Sequence, residues 1–461
     1  MALAAALAAP EAALAHGLSA RQDLPIPEWL LAWGAAAVLV ASFVALAALW
    51  PRPRLERARA RDVARFPLVL EVALGALGVA AFALTVWAGL AGSQTPAANL
   101  APTVVYVGFW VGLPVLSVLL GDVFAALSPW RAVARAAGWA AARLGAAAPA
   151  PLAYPARLGR WPAAAGILAF AWLELCHTDR DDPSLLAVLA LGYAAVQLVG
   201  MALYGVERWT READAFGVYF GLFARLSPLR WEGRRLSVRA PLSGATWLDA
   251  VPGTVALLCV MIGSTSFDGL SQGGAWTGER GPAVRLQDAF EGLGLGPEPA
   301  LEAAYTVGLL AMVALVAAVF AVGVRGMTTV GRDHRAGELA RRFAHTLIPI
   351  ALAYVVAHYF SLLVFQGQAM AFLVSDPLGD GSDYLGTATA SIDYGLLGAN
   401  AVWYVQVAAL VVGHVAGLTL AHDRALVVYD RAREAARSQY WMLAVMVAFT
   451  GLGLYLLSAT S

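Results

Sequence analysis

The sequence contains no lysine, and all 31 basic residues are arginine. That bias carries no mechanism by itself. Charged side chains of either sign are scarce at 13% of the chain. A soluble domain carries about 25%, so a soluble globular enzyme is excluded as the default. Cysteine is nearly absent too. Cys176 and Cys259 provide neither a disulfide framework nor a CxxC metal knuckle. Both read as small packing residues inside or at the end of apolar segments. No nucleophile elbow, P-loop, dinucleotide fingerprint or His-Glu-x-x-His motif occurs. No basic and aromatic stripe sits in a soluble module, so the sequence gives no sign of nucleic-acid binding.

What the chain has is apolar length. It is 60% hydrophobic, with a mean hydropathy of +0.67. Apolar segments lie near 28–50, 67–91, 102–121, 161–177, 184–205, 247–264, 303–325, 344–366, 397–421 and 440–458. A membrane helix needs about 20 apolar residues, and nearly all of these qualify. The expected fold is all-α: a polytopic helical bundle of about ten spans in the lipid bilayer of the cell membrane.

Arginine then sorts the loops. Loop 51–66 holds Arg52, Arg54, Arg57, Arg59, Arg61 and Arg65, and loop 92–101 holds none. Loop 128–160 holds five, 206–246 seven, 325–343 five and 422–439 four. Intervening loops are acidic, with Asp179, Asp181 and Asp182 and later Asp376, Asp380, Asp383 and Asp393. Basic loops stay cytoplasmic, which places both termini outside. Residues 1–27 read as an exterior leader and 28–461 as one membrane domain. Residues 1–15 are rich in Ala and Leu and end in a small-residue pattern before His16. Cleavage there would make His16 the terminal residue, whose amine and imidazole suit copper. The stretch with Phe216, Tyr219, Phe220 and Phe223 suits a helix lying in the cytoplasmic interface. Loop 265–302 is rich in Gly and Pro and reads as irregular.

Ionisable residues within spans are costly, and they are functional candidates by default. They fall in two layers. The outer layer has Glu174 and His177, three residues apart on one helical face, with Asp182 just beyond. His358 sits at similar depth on the eighth span, and Ser264, Ser266, Asp268 and Asp376 come from exterior loops. His177, His358, Glu174 and Asp376 form the primary ligand set, with Asp182, Asp268 and His16 secondary. Such a set suits Zn, Mn or Fe. Alternatively, these groups are partly solvated or bonded between helices. The run from Asp376 to Asp383 lacks a Ca-loop spacing and reads as a turn-rich cap. The inner layer has Glu71, Asp122, Asp249, His345, His414 and His422. His345 and His358 lie about 140° apart around their helix at 3.6 residues per turn, so bis-histidine haem is not expected.

The C-terminal third carries a resemblance. Residues 345–354 (HTLIPIALAY), 357–363 (AHYFSLL), 366–368 (QGQ), 375–379 (SDPLG) and 438–442 (SQYWM), with 15–18 (AHGL) and 23–27 (DLPIP), resemble multi-spanning bacterial membrane proteins labelled fenitrothion hydrolase. The resemblance implies a hydrolase acting on an apolar organophosphate triester, and it carries over no catalytic residue. A bound metal would polarise the phosphoryl oxygen and activate water at an exterior-facing site. The other reading is a transporter or metal-handling permease. There the outer groups form an entry site and the inner His and acidic groups a relay. Hydrolysis needs one convergent exterior cluster, whereas transport needs a polar path joining both layers.

Overall fold

A computed structural model describes residues 28–145, 150–330 and 334–459. The leader and His16 lie outside the described residues. Each expected apolar segment contains a helix. The helices are α1 (Glu28–Leu49), α2 (Leu68–Ala91), α3 (Leu100–Leu120), α4 (Pro129–Arg143), α5 (Trp161–Leu175), α6 (Pro183–Tyr204), α7 (Ala215–Ala224), α8 (Thr254–Ser271), α9 (Pro297–Met327), α10 (Leu347–Phe365), α11 (Ala399–Val428) and α12 (Ala432–Ala459). Among the described residues, seven helical segments are long and apolar enough to cross a membrane: α2, α3, α6, α8, α9, α11 and the composite 336–373 that contains α10. Outward-facing Val69, Val72, Leu77, Val188, Val196, Val199 and Val412 are exposed. A bilayer would solvate such an apolar belt.

Local chemistry sets several boundaries. Asp182 caps α6 by accepting from the Leu185 amide at 2.7 Å, and Pro183 follows at the first helical position. Gly205, at φ +83°, ends it. Within α3, residues Thr103–Gly112 are π-helical, a widened backbone frequent at functional sites. Gly413 and Gly417, one turn apart on α11, bring α10 close. A Cβ at Gly413 would lie 2.3 Å from that of Ala353, and one at Gly417 would lie 3.0 Å from the Thr346 carbonyl oxygen. This is small-residue packing as membrane helices use it.

Two expectations change. The stretch 215–224 is not interfacial. All of α7 is buried except Gly217 and Gly221, because it is apolar on every side rather than on one. Asp214 anchors it, accepting from Trp130 Nε1 and Tyr193 Oη, both at 2.7 Å, and from the Gly217 amide. The sixth span is also shifted. Its helix starts at Thr254, after Pro252 and a left-handed Gly253 (φ +82°) pressed against Arg160 and Trp161. It therefore extends to Ser271, and Ser264, Ser266 and Asp268 are core residues rather than loop residues. The rest of that loop includes a helix at Pro282–Gly292.

The loops gather at two ends. A three-stranded antiparallel sheet of β1 (Arg61–Arg65), β2 (Leu229–Glu232) and β3 (Arg235–Val238), in the order β1-β3-β2, joins the first arginine-rich loop to the third. Arg424 pairs with Glu56 and donates to the carbonyls of Arg342 and Thr246. Arg131 and Arg135 clasp Glu207, and Arg135 also pairs with Glu71. At the other end the Ser93 amide donates to the Leu378 carbonyl, Tyr106 to that of Arg180, and Thr178 to Glu302. Arginine-rich and arginine-poor loops thus cap opposite ends of the bundle.

Candidate functional site

Near the arginine-poor end, three helices bring four polar side chains into the core. Glu174 lies on the last turn of α5, Asp268 on the last turn of α8, and His358 and Tyr359 side by side on α10. Asp268 is fully buried, and Glu174 and Tyr359 nearly so. The Tyr359 hydroxyl lies 2.7 Å from Asp268 Oδ2 and 3.2 Å from Glu174 Oε1. His358 Nε2 lies 2.8 Å from the same Asp268 oxygen, and its side chain is only 11% exposed. The result is one continuous string: Glu174, Tyr359, Asp268, His358.

Burying carboxylates is expensive unless each finds partners. Here the phenol and the imidazole supply them. A phenol has one proton, however, and cannot donate to two carboxylates at once. The string can therefore hold protons in more than one arrangement. The π-helical stretch walls the site, with Trp110 stacked on Tyr219 of α7 at 4.7 Å and 13°.

The remaining outer candidates go elsewhere. His177 Nδ1 pairs with Glu302 on α9 at 2.6 Å, and its ring stacks on Trp172. Both partners are partly exposed, and the Thr178 amide also donates to Glu302. Asp182 is a helix cap, and the Leu185 amide and Ser184 hydroxyl hold its carboxyl below the usual carboxylate range. Asp376 accepts from the Asp380 and Gly381 amides in a turn at the arginine-poor end. The expected set of His177, His358, Glu174 and Asp376 is thus divided among three places. Among the described residues no three His, Cys, Asp or Glu side chains group to hold a metal ion.

In the inner layer, Glu71 pairs with Arg135 and Asp122 caps the short helix 123–127 through the Ala125 amide. His345, His414 and His422 are all buried. His414 Nδ1 contacts the Leu410 carbonyl at 2.7 Å, and His422 Nε2 that of Trp50 at 3.0 Å.

Sequence reasoning missed four anchors: Tyr359, Glu302, Asp214 and Asp423. Buried Asp423 accepts from Trp50 Nε1 and from the amides of Arg54 and Glu56. An aspartate inside an apolar helix beside His422 is a signal that points to it. For the outer site the signal was the run Ser264, Ser266, Asp268, which becomes part of a helix buried on all sides once the helix is continued past Ser264. No protein-family model, curated protein or solved structure matches the chain.

Proposed function

We propose that this chain is a multi-pass membrane transporter coupled to protons, and that the string Glu174, Tyr359, Asp268, His358 is its outer proton-binding site. One observation carries the reading: two buried carboxylates from different helices share one phenol, and an imidazole meets the second. At 2.7 Å the phenol donates to Asp268. The longer Glu174 contact is completed by a proton on Glu174. The ground state is then neutral Glu174, neutral Tyr359 and ionised Asp268, with His358 Nε2 against the same carboxylate oxygen. A proton delivered to Asp268 removes the charge that strengthens its contacts with both neighbours and forces them to reorder, which couples protonation to the packing of α5, α8 and α10. Intramembrane ionisable groups mark such relays. The finer topology belongs to the same proposal: ten spans of the plasma membrane, with arginine-rich loops cytoplasmic and both ends exterior.

The test uses full-length protein in phospholipid vesicles with an entrapped pH-sensitive dye and an imposed potassium diffusion potential. Wild type is expected to carry protons, and Asp268→Asn and His358→Gln to lose about 100-fold of that flux, as removal of a proton-transfer group does. Unchanged flux in both variants overturns the reading. Fenitrothion turnover by the same vesicles, dependent on added Zn and lost in His358→Gln, would instead favour the hydrolase that the sequence resembles.

A further inference from the structure

Three guanidiniums gather where the arginine-rich loops meet the helix ends. Membrane-length α3 stops at Leu120, whose carbonyl accepts from Trp231 Nε1 of β2 at 2.7 Å. The sheet therefore lies at the level where a headgroup layer begins. Arg225 closes α7, Arg230 lies on β2, and Arg239 follows β3. All three converge on the turn that carries Gly244 and Trp247. Arg225 Nη1 donates to the Gly244 carbonyl at 3.3 Å. The guanidinium carbons of Arg230 and Arg239 lie 5.0 and 5.4 Å from the centroid of the Trp247 ring. Arg239 is buried, and Arg225, Arg230 and Trp247 are partly buried. Leu242, which opens the turn, has φ +66° and is the only non-glycine with positive φ among the described residues. A bulky side chain adopts that conformation only where the surrounding structure holds it.

Charge is out of balance here. Among the described residues neither Arg225 nor Arg239 pairs with a carboxylate. Arg239 donates from Nε to the Ser227 carbonyl at 3.0 Å and from Nη2 to the Ala224 carbonyl at 2.8 Å. Carbonyls satisfy N–H groups but carry no net charge. The Ala224 carbonyl belongs to the C-terminal end of α7, whose dipole offers only about half an elementary charge. Two full positive charges meet it. Asp122 attracts Arg225 from beyond ion-pair distance, and its carboxylate caps helix 123–127 instead. Arg160 adds a further positive charge near Arg225, opposed by Glu212 at 4.0 Å. Glu232 pairs with Arg230 from an exposed position. Burial and the neighbouring arginines pull the pKa of Arg225 and of Arg239 down to about 10, so both stay charged at neutral pH. Like charges taken partly out of water are costly without a counter-charge.

We infer that Arg225, Arg230 and Arg239, gathered on Trp247, form a binding site for a phosphate group at the arginine-rich end of the bundle. Guanidinium forks match phosphate oxygens and donate to them in pairs. Packing against an indole engages the face of a guanidinium and leaves its N–H edge free to donate. Among the described residues Arg225 uses one of its three nitrogens on an acceptor and Arg239 two, so donors remain for a ligand. Anionic phospholipid and free phosphate share this chemistry. The place of the site at the helix ends favours a lipid headgroup, since basic pockets there bind anionic headgroups. The inference does not depend on proton movement at the other end.

The test uses full-length protein in neutral maltoside micelles, titrated with phosphatidylglycerol and separately with inorganic phosphate. Native mass spectrometry counts bound lipid, and calorimetry reads bound phosphate. Saturable binding of a single phosphatidylglycerol is expected. Arg225→Gln and Arg230→Gln should each weaken it about 10-fold or more, the worth of a hydrogen bond to a charged group. Both leave the Arg239 contact with the end of α7 in place. Arg57→Gln with Arg59→Gln removes the same charge from exposed positions at the same end. That pair should change affinity less than about 2-fold, because exposed charges are screened. Should the Gln variants unfold, Arg225→Lys and Arg230→Lys keep the charge and lose the fork. They are then expected to weaken binding, and unchanged affinity counts against the site. Competition by inorganic phosphate sustains the site as one for phosphate in general, and binding of the lipid alone sustains it as a headgroup site. No saturable binding of either probe overturns the inference, as does equal weakening by the two pairs of Gln variants.

Discussion

Replacing Tyr359 with phenylalanine removes one hydroxyl and almost no volume. The hydroxyl donates to Asp268 at 2.7 Å inside the core. Two magnitudes compete. An ordinary interhelical hydrogen bond in a membrane protein contributes about 0.6 kcal/mol. A hydrogen bond to an ionised group contributes about 1.5–3 kcal/mol. The proposed ground state has Asp268 ionised, so the second range applies. A double-mutant cycle of Tyr359→Phe and Asp268→Asn isolates the pair from the loss of each side chain alone. The assay is equilibrium unfolding in mixed micelles, followed by tryptophan fluorescence. The expected coupling is above about 1.5 kcal/mol. A coupling at or below about 0.6 kcal/mol refutes the reasoning, because the contact is then a neutral interhelical bond like many others. The exposed pair His177–Glu302 serves as the control. Its side chains are 26% and 22% exposed, and water screens such pairs to about 0–1 kcal/mol.

Three further outcomes are expected. Gly413→Ala places a methyl 2.3 Å from the Ala353 Cβ, so it should destabilise the α10–α11 seam by about 1–3 kcal/mol through overpacking; an unfolding midpoint equal to wild type would contradict that packing. Ser375 and the Ala388 amide hold Asp383, and Ser382 holds Asp380, below the ordinary carboxylate range. Stability from a depressed carboxyl is present above its unfolded pKa of about 3.9 and is lost as pH falls toward the folded value; the protection of amides 375–388, relative to the intrinsic exchange rate at each pH, should therefore hold from about pH 7 to 5 and fall below about 4, and equal protection across that range would remove the role of these bonds. An impermeant maleimide added outside whole cells should label Leu385→Cys in the acidic cap and not Arg234→Cys in the basic hairpin, with little background because Cys176 and Cys259 are buried; the reverse pattern would invert the topology.

Much of the architecture was legible because it rests on composition. Long apolar runs make helices whatever their partners are. Arg424 and the sheet of strands 61–65 and 229–238 join arginine-rich loops to one another, a contact that charge counting alone did not specify. Helix ends were less legible. The Pro252-Gly253 break moved α8 outward by about two turns, which changed Asp268 from a loop residue to the centre of the site. Residue 215–224 periodicity suggested one apolar face, but its remaining positions are Ala, Val, Leu and Gly and bury equally well. Partner choice was the hardest to read. The spacing of Glu174 and His177 suggested one helical face, but α5 ends at Leu175, so Glu174 turns into the core toward Tyr359 while His177, past the helix end, turns out toward Glu302. Where a helix ends is not encoded by the spacing of two residues.

The most direct test of the account is the protonation of the outer string itself. Difference infrared spectroscopy of reconstituted protein reads the C=O stretch of a neutral carboxylic acid, which a carboxylate lacks. The account predicts such a band near neutral pH, abolished by Glu174→Gln and shifted by Tyr359→Phe, with a second band appearing as acid protonates Asp268 and absent in Asp268→Asn. A spectrum with no neutral carboxyl at Glu174, and none gained at Asp268 on acidification, would contradict it.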